Sequence, residues 1–132
     1  MKTFEVKTEK SHKFSAEDIN DLVVTALEGG INFWCGKAEM KLNPDKTYFG
    51  IAPEDQDKVK YASDIISLGG VLILHDAESD EKWELDLEKM LKGIKMQCEN
   101  RNVAPSDLMD DYDAEDADCI VQYAVMDELV FG

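Results

Sequence analysis

Side chains of the kinds that make and break bonds are scarce in this chain. Its histidines are His12 and His75, and its cysteines, Cys35, Cys98 and Cys119, stand far apart. A thiol becomes an effective nucleophile when an adjacent base takes its proton. Cys35 and His75 form such a pair only if their strands are neighbours, and no recognisable sequence context accompanies them. The cysteine spacing fits neither a disulfide framework nor a CxxC metal knuckle, so the three are read as reduced thiols packed like small hydrophobes. The glycine pairs at 29–30 and 69–70 follow apolar-periodic segments, whereas a phosphate-cradling loop precedes its helix. They are expected to be left-handed helix stops.

Carboxylates are abundant instead. Residues 106–118, SDLMDDYDAEDAD, carry Asp107, Asp110, Asp111, Asp113, Glu115, Asp116 and Asp118 with no basic residue among them, in a chain of net charge −15. Residues 99–132 hold ten acids against Arg101, while residues 1–98 set nineteen acids against thirteen lysines. Charge so concentrated repels itself and steers positive partners. It also repels phosphate backbones and anionic lipid, which argues against direct nucleic-acid or membrane-surface binding. General acid–base work would need two carboxyls in one cleft with separated pKa values, and residue order locates no cleft.

Metal chemistry is tested by loop spacing. Asp76, Glu78 and Asp80 alternate like the first ligands of a Ca²⁺ loop, as do Asp111, Asp113 and Glu115. The glycine required at the sixth position is Glu81 or Asp116, and the twelfth position holds Leu87 or Gln122 in place of glutamate. A solvated turn and a capped helix start account for both, and neither metal nor cofactor is expected. Trp34 and Trp83 suit a core, a stacking pocket or an interface. A ligand pocket would draw on Asn32, Trp34 and Tyr61, the polar and aromatic groups nearest the first glycine pair in sequence.

The elements that must position these groups alternate between short strands and amphipathic helices. A strand is predicted over 4–8. Ser15 with Asp18 reads as an N-terminal cap, followed by a helix whose inward face is Ile19, Leu22, Val23, Ala26 and Leu27. A buried strand over 31–35 comes next. Pro53 opens a predicted helix over 54–68 with Val59, Ala62, Ile65 and Ile66 inward. Strands over 71–74 and 82–86 flank the polar turn 75–81 as a hairpin. Leu87, Met90, Leu91, Ile94 and Cys98 define another helix, and residues 99–111 read as a polar linker containing Pro105. Asp113 and Asp116 are expected to cap a last helix burying Ala117, Ile120, Val121 and Ala124, with residues 128–131 as a strand or a docked tail.

At 132 residues and 44% hydrophobic composition, one core is affordable. The expectation is one α+β domain over 1–132, an antiparallel or mixed sheet of four to six short strands packed by three or four helices. It would be a monomer, or a homodimer through the apolar strand 71–74. No apolar run approaches the ~20 residues of a membrane span, and residues 1–14 lack the apolar stretch of a signal peptide. A cytoplasmic protein is therefore expected.

The segments VVTALEGGINFWCGK (23–37), YASDIISLGGVLILHDAESDEKWELDLEKMLKGI (61–94) and DADCIVQYAVMDELVFG (116–132) resemble small uncharacterised phage and prophage proteins of gut Firmicutes and related bacteria. That resemblance spans most of the chain and implies a setting, the host-cell cytoplasm, with no catalytic residues. Small, strongly acidic, non-enzymatic phage proteins in that setting are often inhibitors of host nucleic-acid machinery, including CRISPR effectors, restriction enzymes and nucleoid proteins. The expected function is accordingly a DNA-charge mimic that binds a basic host protein through the seven acids between 107 and 118. Two alternatives stand beside it: a small-ligand or signalling-nucleotide binder, with Lys37 and Lys41 after Trp34 as phosphate donors, and a phage accessory protein without inhibitory role.

Overall fold

The computed structural model describes residues 2–6 and 12–132. Strands β1 (Thr3–Val6) and β2 (His12–Ser15) pair antiparallel, with Phe4 opposite Phe14. Alternation puts Phe4 and Val6 inside and Thr3 and Glu5 outside, the period-two pattern of a half-buried strand. The end of the strand predicted over 4–8 lies outside the described residues.

Ser15 closes β2 and caps helix α1 (Ala16–Thr25) as expected: its hydroxyl accepts from Asp18 N at 3.1 Å, and the Asp18 carboxylate accepts from Ser15 N at 3.0 Å. The helix then widens into a π-turn over Ala26–Gly30. Neither Gly29 nor Gly30 has positive φ, so the first glycine pair does not stop the helix in the left-handed way. Gly30 serves close approach instead. A Cβ there would stand 2.8 Å from the Ala114 carbonyl oxygen.

Residues 31–34, expected as a strand, form a turn in which Ile31 O accepts from both Trp34 N and Cys35 N. Strand β3 begins only at Cys35 (Cys35–Met40). It joins β4 (Leu72–Asp76) and β5 (Lys82–Leu85) in a second antiparallel sheet with β4 in the middle. The β4–β5 pair is the expected hairpin. Its register sets Leu72 beside Met40 and Leu85, and Leu74 beside Ala38 and Trp83, so one face of the sheet is apolar.

The segment predicted as a helix over 54–68 is instead two short 3₁₀ turns, Pro53–Lys58 and Ala62–Asp64, with extended backbone at Val59 and Tyr61 between them. Side chains compete for the backbone here. Gln56 bonds Tyr48 N, Tyr48 O and Ile51 O, and Asp64 accepts from Lys60 N and Tyr61 N. The left-handed residue after this segment is Gly69, at φ +103°, and not Gly70.

Helix α2 (Leu87–Arg101) starts at an Asp86 cap and buries Met90, Ile94 and Cys98, with Leu87 and Leu91 half-buried. The expected linker 99–111 is mostly helical. α2 runs to Arg101, left-handed Asn102 ends it, and Pro105 occupies the first turn of α3 (Pro105–Asp111), where its missing N–H costs nothing. Asp113 and Asp116 cap helix α4 (Ala114–Met126) reciprocally, and Ala117, Ile120, Val121 and Ala124 are buried as predicted. The architecture is α+β, with the described strands divided between a two-stranded and a three-stranded sheet. One contiguous core joins Phe14, Leu22, Leu72, Leu85, Ile94, Leu108 and Ile120.

A candidate binding face on the last two helices

Helix α3 is amphipathic over only two turns. Leu108 is fully buried, and Asp107, Asp110 and Asp111, spaced i, i+3 and i+4, share the exposed side. The chain leaves α3 through extended Tyr112 and re-enters a helix at Asp113, so Asp113 and Glu115 continue the exposed acidic ridge. Arg101, at the end of α2, reaches Asp111 at 3.4 Å and Asp116 at 3.1 Å. The Asp111 hydrogen bond foremost, with the Asp116 charge next, raises the guanidinium pKa further. Among the described residues, Asp111 is the only one of the five exposed acids in an ion pair.

Asp116 and Asp118 are placed differently from expectation, since both are only 7% exposed. Asp116 spends its oxygens on Asp113 N, Arg101 and the Gln97 amide. Asp118 accepts from Trp34 Nε1 at 2.7 Å and from Gln122 Nε2 at 2.9 Å. Helical periodicity explains the difference: 117, 120, 121 and 124 define the inward face of α4, and 116 and 118 flank it. Their acidity serves the interior.

Gln122 extends this buried network to the chain end. Its Oε1 accepts from Val130 N and Phe131 N, and its Nε2 donates to Phe131 O. Residues 128–131 are thereby a docked tail and not a strand. The Phe131 ring stacks on Trp34 with centroids 5.1 Å apart and meets Trp83 edge-on at 6.2 Å, while the two indoles contact edge-to-face at 5.5 Å. Between this tail, the π-turn and the start of α4 lies an open groove of about 530 Å³. Phe33, Leu129 and Val130 form its apolar walls, Glu115 and Asp118 contribute carboxylates, and half-buried Cys119 also lines it. The one local sign of this groove in the sequence is apolar LVF following acidic Asp127 and Glu128.

The residues expected to make a ligand pocket are not brought together. Trp34 is buried against Asp118 and Phe131, Asn32 lines a separate cavity of about 280 Å³ with Cys35 and Lys37, and Tyr61, 72% exposed, lines neither cavity. β3 and β4 do neighbour each other, but Cys35 and His75 take different partners. The Cys35 thiol donates to Lys37 O, and His75 Nε2 lies 2.7 Å from Glu39 Oε1. Burial above all raises the pKa of Cys35, which keeps it a thiol at neutral pH. Burial likewise pushes Cys98 and Cys119 up to about 11. Asp76 is engaged by Glu78 N and the Ser79 hydroxyl inside the hairpin turn, and no group of three or more potential metal ligands converges among the described residues. No helix among them is long and apolar enough to cross a membrane. Comparison with family models, with curated proteins and with solved structures finds no match.

Proposed function

We propose that this chain is a non-enzymatic binding protein that offers its acidic ridge to a basic, nucleic-acid-binding protein of the host, such as a CRISPR effector, occupying the surface where DNA would lie. One observation carries the reading: Asp110 and Asp111 stand exposed in the last turn of α3. Asp107, Asp113 and Glu115 lie at helix N-termini, where capping and the helix dipole reward a carboxylate and a purely structural explanation suffices. At a C-terminus the same dipole disfavours anions, by roughly 0.3–1 kcal/mol each. Arg101 offsets part of that at Asp111, but the pair is exposed and solvent screens it. Charge kept against local stability suits a surface that meets positive charge, where it gains steering and releases the partner's counterions as DNA does. The setting implied by the phage resemblance supplies partners of that kind.

The test is capture of host proteins from lysate by immobilised protein at two salt concentrations, with duplex DNA as competitor. The reading expects a nucleic-acid-binding protein that is retained at low salt, released at high salt and displaced by DNA. It also expects Asp110→Asn with Asp111→Asn to weaken retention and flatten its salt dependence. Retention indifferent to salt, to DNA and to the double substitution would reduce the ridge to a solubilising surface.

A further inference from the structure

We infer that the groove between Phe33 and the C-terminal tail is a docking site for an apolar segment, flanked by arginine or lysine, of that same basic partner; the inference rests on the acidic-ridge reading and adds a second point of attachment to it. Phe33, Leu129 and Val130 are 56%, 43% and 53% exposed, and they are three of the six large apolar side chains left exposed among the described residues. All three line this one groove. Apolar surface gathered in a concavity, rather than scattered, marks a place where something is covered.

Charge decides what covers it. None of the residues lining the groove is basic, two of them, Glu115 and Asp118, are acidic, and Glu115 belongs at once to the groove and to the ridge. A second copy of this chain would bring another −15 charges to the same place and be repelled. A segment with apolar side chains on one face and guanidinium or ammonium groups on the other satisfies both halves of the surface: its apolar residues cover Phe33 and Leu129, and its cations reach Glu115 and the ridge beyond. The groove is also built to keep its shape. Gln122 pins the tail wall through three hydrogen bonds to residues 130 and 131, and the Phe131 ring anchors that wall on Trp34. A preformed wall avoids the entropy of ordering a loop on binding.

Three labelled helical peptides test this by fluorescence anisotropy at low salt: one with leucine on one face and arginine on the other, one with serine replacing leucine, and one with glutamine replacing arginine. The leucine–arginine peptide should bind about tenfold tighter than the serine–arginine peptide, as expected from covering one aromatic side chain. Phe33→Ser should erase that ratio, and so should Leu129→Ser on the opposite wall; both side chains are exposed, so the core is untouched. Equal binding of the two arginine peptides, or a ratio that survives both substitutions, overturns the groove assignment and leaves the ridge standing. Binding of the leucine–glutamine peptide as tight as that of leucine–arginine overturns the assigned occupant. If neither arginine peptide binds wild type, the ridge reading falls and the groove inference falls with it.

Discussion

Asp118 accepts from the Trp34 indole and the Gln122 amide while almost wholly buried, so its two partners are donors and water offers little replacement. Asp118→Asn keeps the shape but turns one oxygen into a donor that must face another donor. Leaving a buried hydrogen-bonding group unpaired costs about 1–3 kcal/mol, and urea unfolding should show a loss of that size. The tail should loosen as well, because Gln122 would lose its orienting carboxylate, and Trp34 fluorescence in the folded protein should report it. The thiols give a pH dependence. Cys98 and Cys119 keep their protons in the folded state up to about pH 11, whereas an unfolded thiol ionises near pH 8.5. Between those values the folded chain binds more protons than the unfolded one, so this contribution to stability falls as pH rises. Cys119→Ala should make the decline in urea midpoint between pH 8 and pH 10 shallower than in wild type.

Among the elements, α2 and α4 pack so closely at Gly93 that a Cβ there would overlap the Ile120 carbonyl oxygen. Helix propensity and packing then oppose one another. Alanine gains about 1 kcal/mol over glycine in a helix interior, but backbone cannot move aside as a flexible side chain can, and overpacking a tight core typically costs about 1–3 kcal/mol or more. Packing should win: Gly93→Ala lowers the melting temperature, and a rise would mean the helices stand further apart than they do here. Helix α3 makes the opposite case. Asp110→Lys places a cation where the dipole favours one and should raise stability by a few tenths to about 1 kcal/mol, while lowering retention of a basic partner. The two signs, one from thermal melting and one from binding, separate a binding residue from a structural one.

For the whole molecule, a net charge of −15 on 132 residues makes self-repulsion a global term. Salt screens it, with a Debye length near 10 Å at 0.1 M. The melting temperature should therefore rise as sodium chloride is increased from low to physiological concentration. Converting Asp110, Asp111 and Glu115 to their amides should reduce that rise, since it removes charge from the most acidic part of the chain. A melting temperature that falls with salt would mean that attractive pairs such as Lys41–Glu84 and Lys92–Asp127 outweigh the repulsion.

What the sequence determined by itself is local. The Ser15–Asp18 and Asp113–Asp116 caps, the β4–β5 hairpin, the inward faces of α1, α2 and α4, and the α+β class all follow from groups within a few residues of one another, because capping geometry and the periods of helix and strand are short-range rules. The same rules put Leu108 inside and Asp107, Asp110 and Asp111 outside once α3 is known to be a helix. Elsewhere side chains compete with the backbone, or backbones approach one another, in ways that periodicity does not describe. Gln56 reaching Tyr48 and Ile51 broke a periodic apolar segment into 3₁₀ turns, and the glycine pairs were needed for approach and turn geometry that periodicity does not describe. The candidate site was divided in the same way. Seven carboxylates stood together in sequence, but only the fold placed Trp34, eighty-four residues away, where its indole draws Asp118 inside. The fold likewise set Phe33 against a tail nearly a hundred residues further along the chain. Sequence proximity reported where charge is concentrated; tertiary packing decided which of those charges remain in solvent, because burial depends on partners that the chain brings together only when it folds.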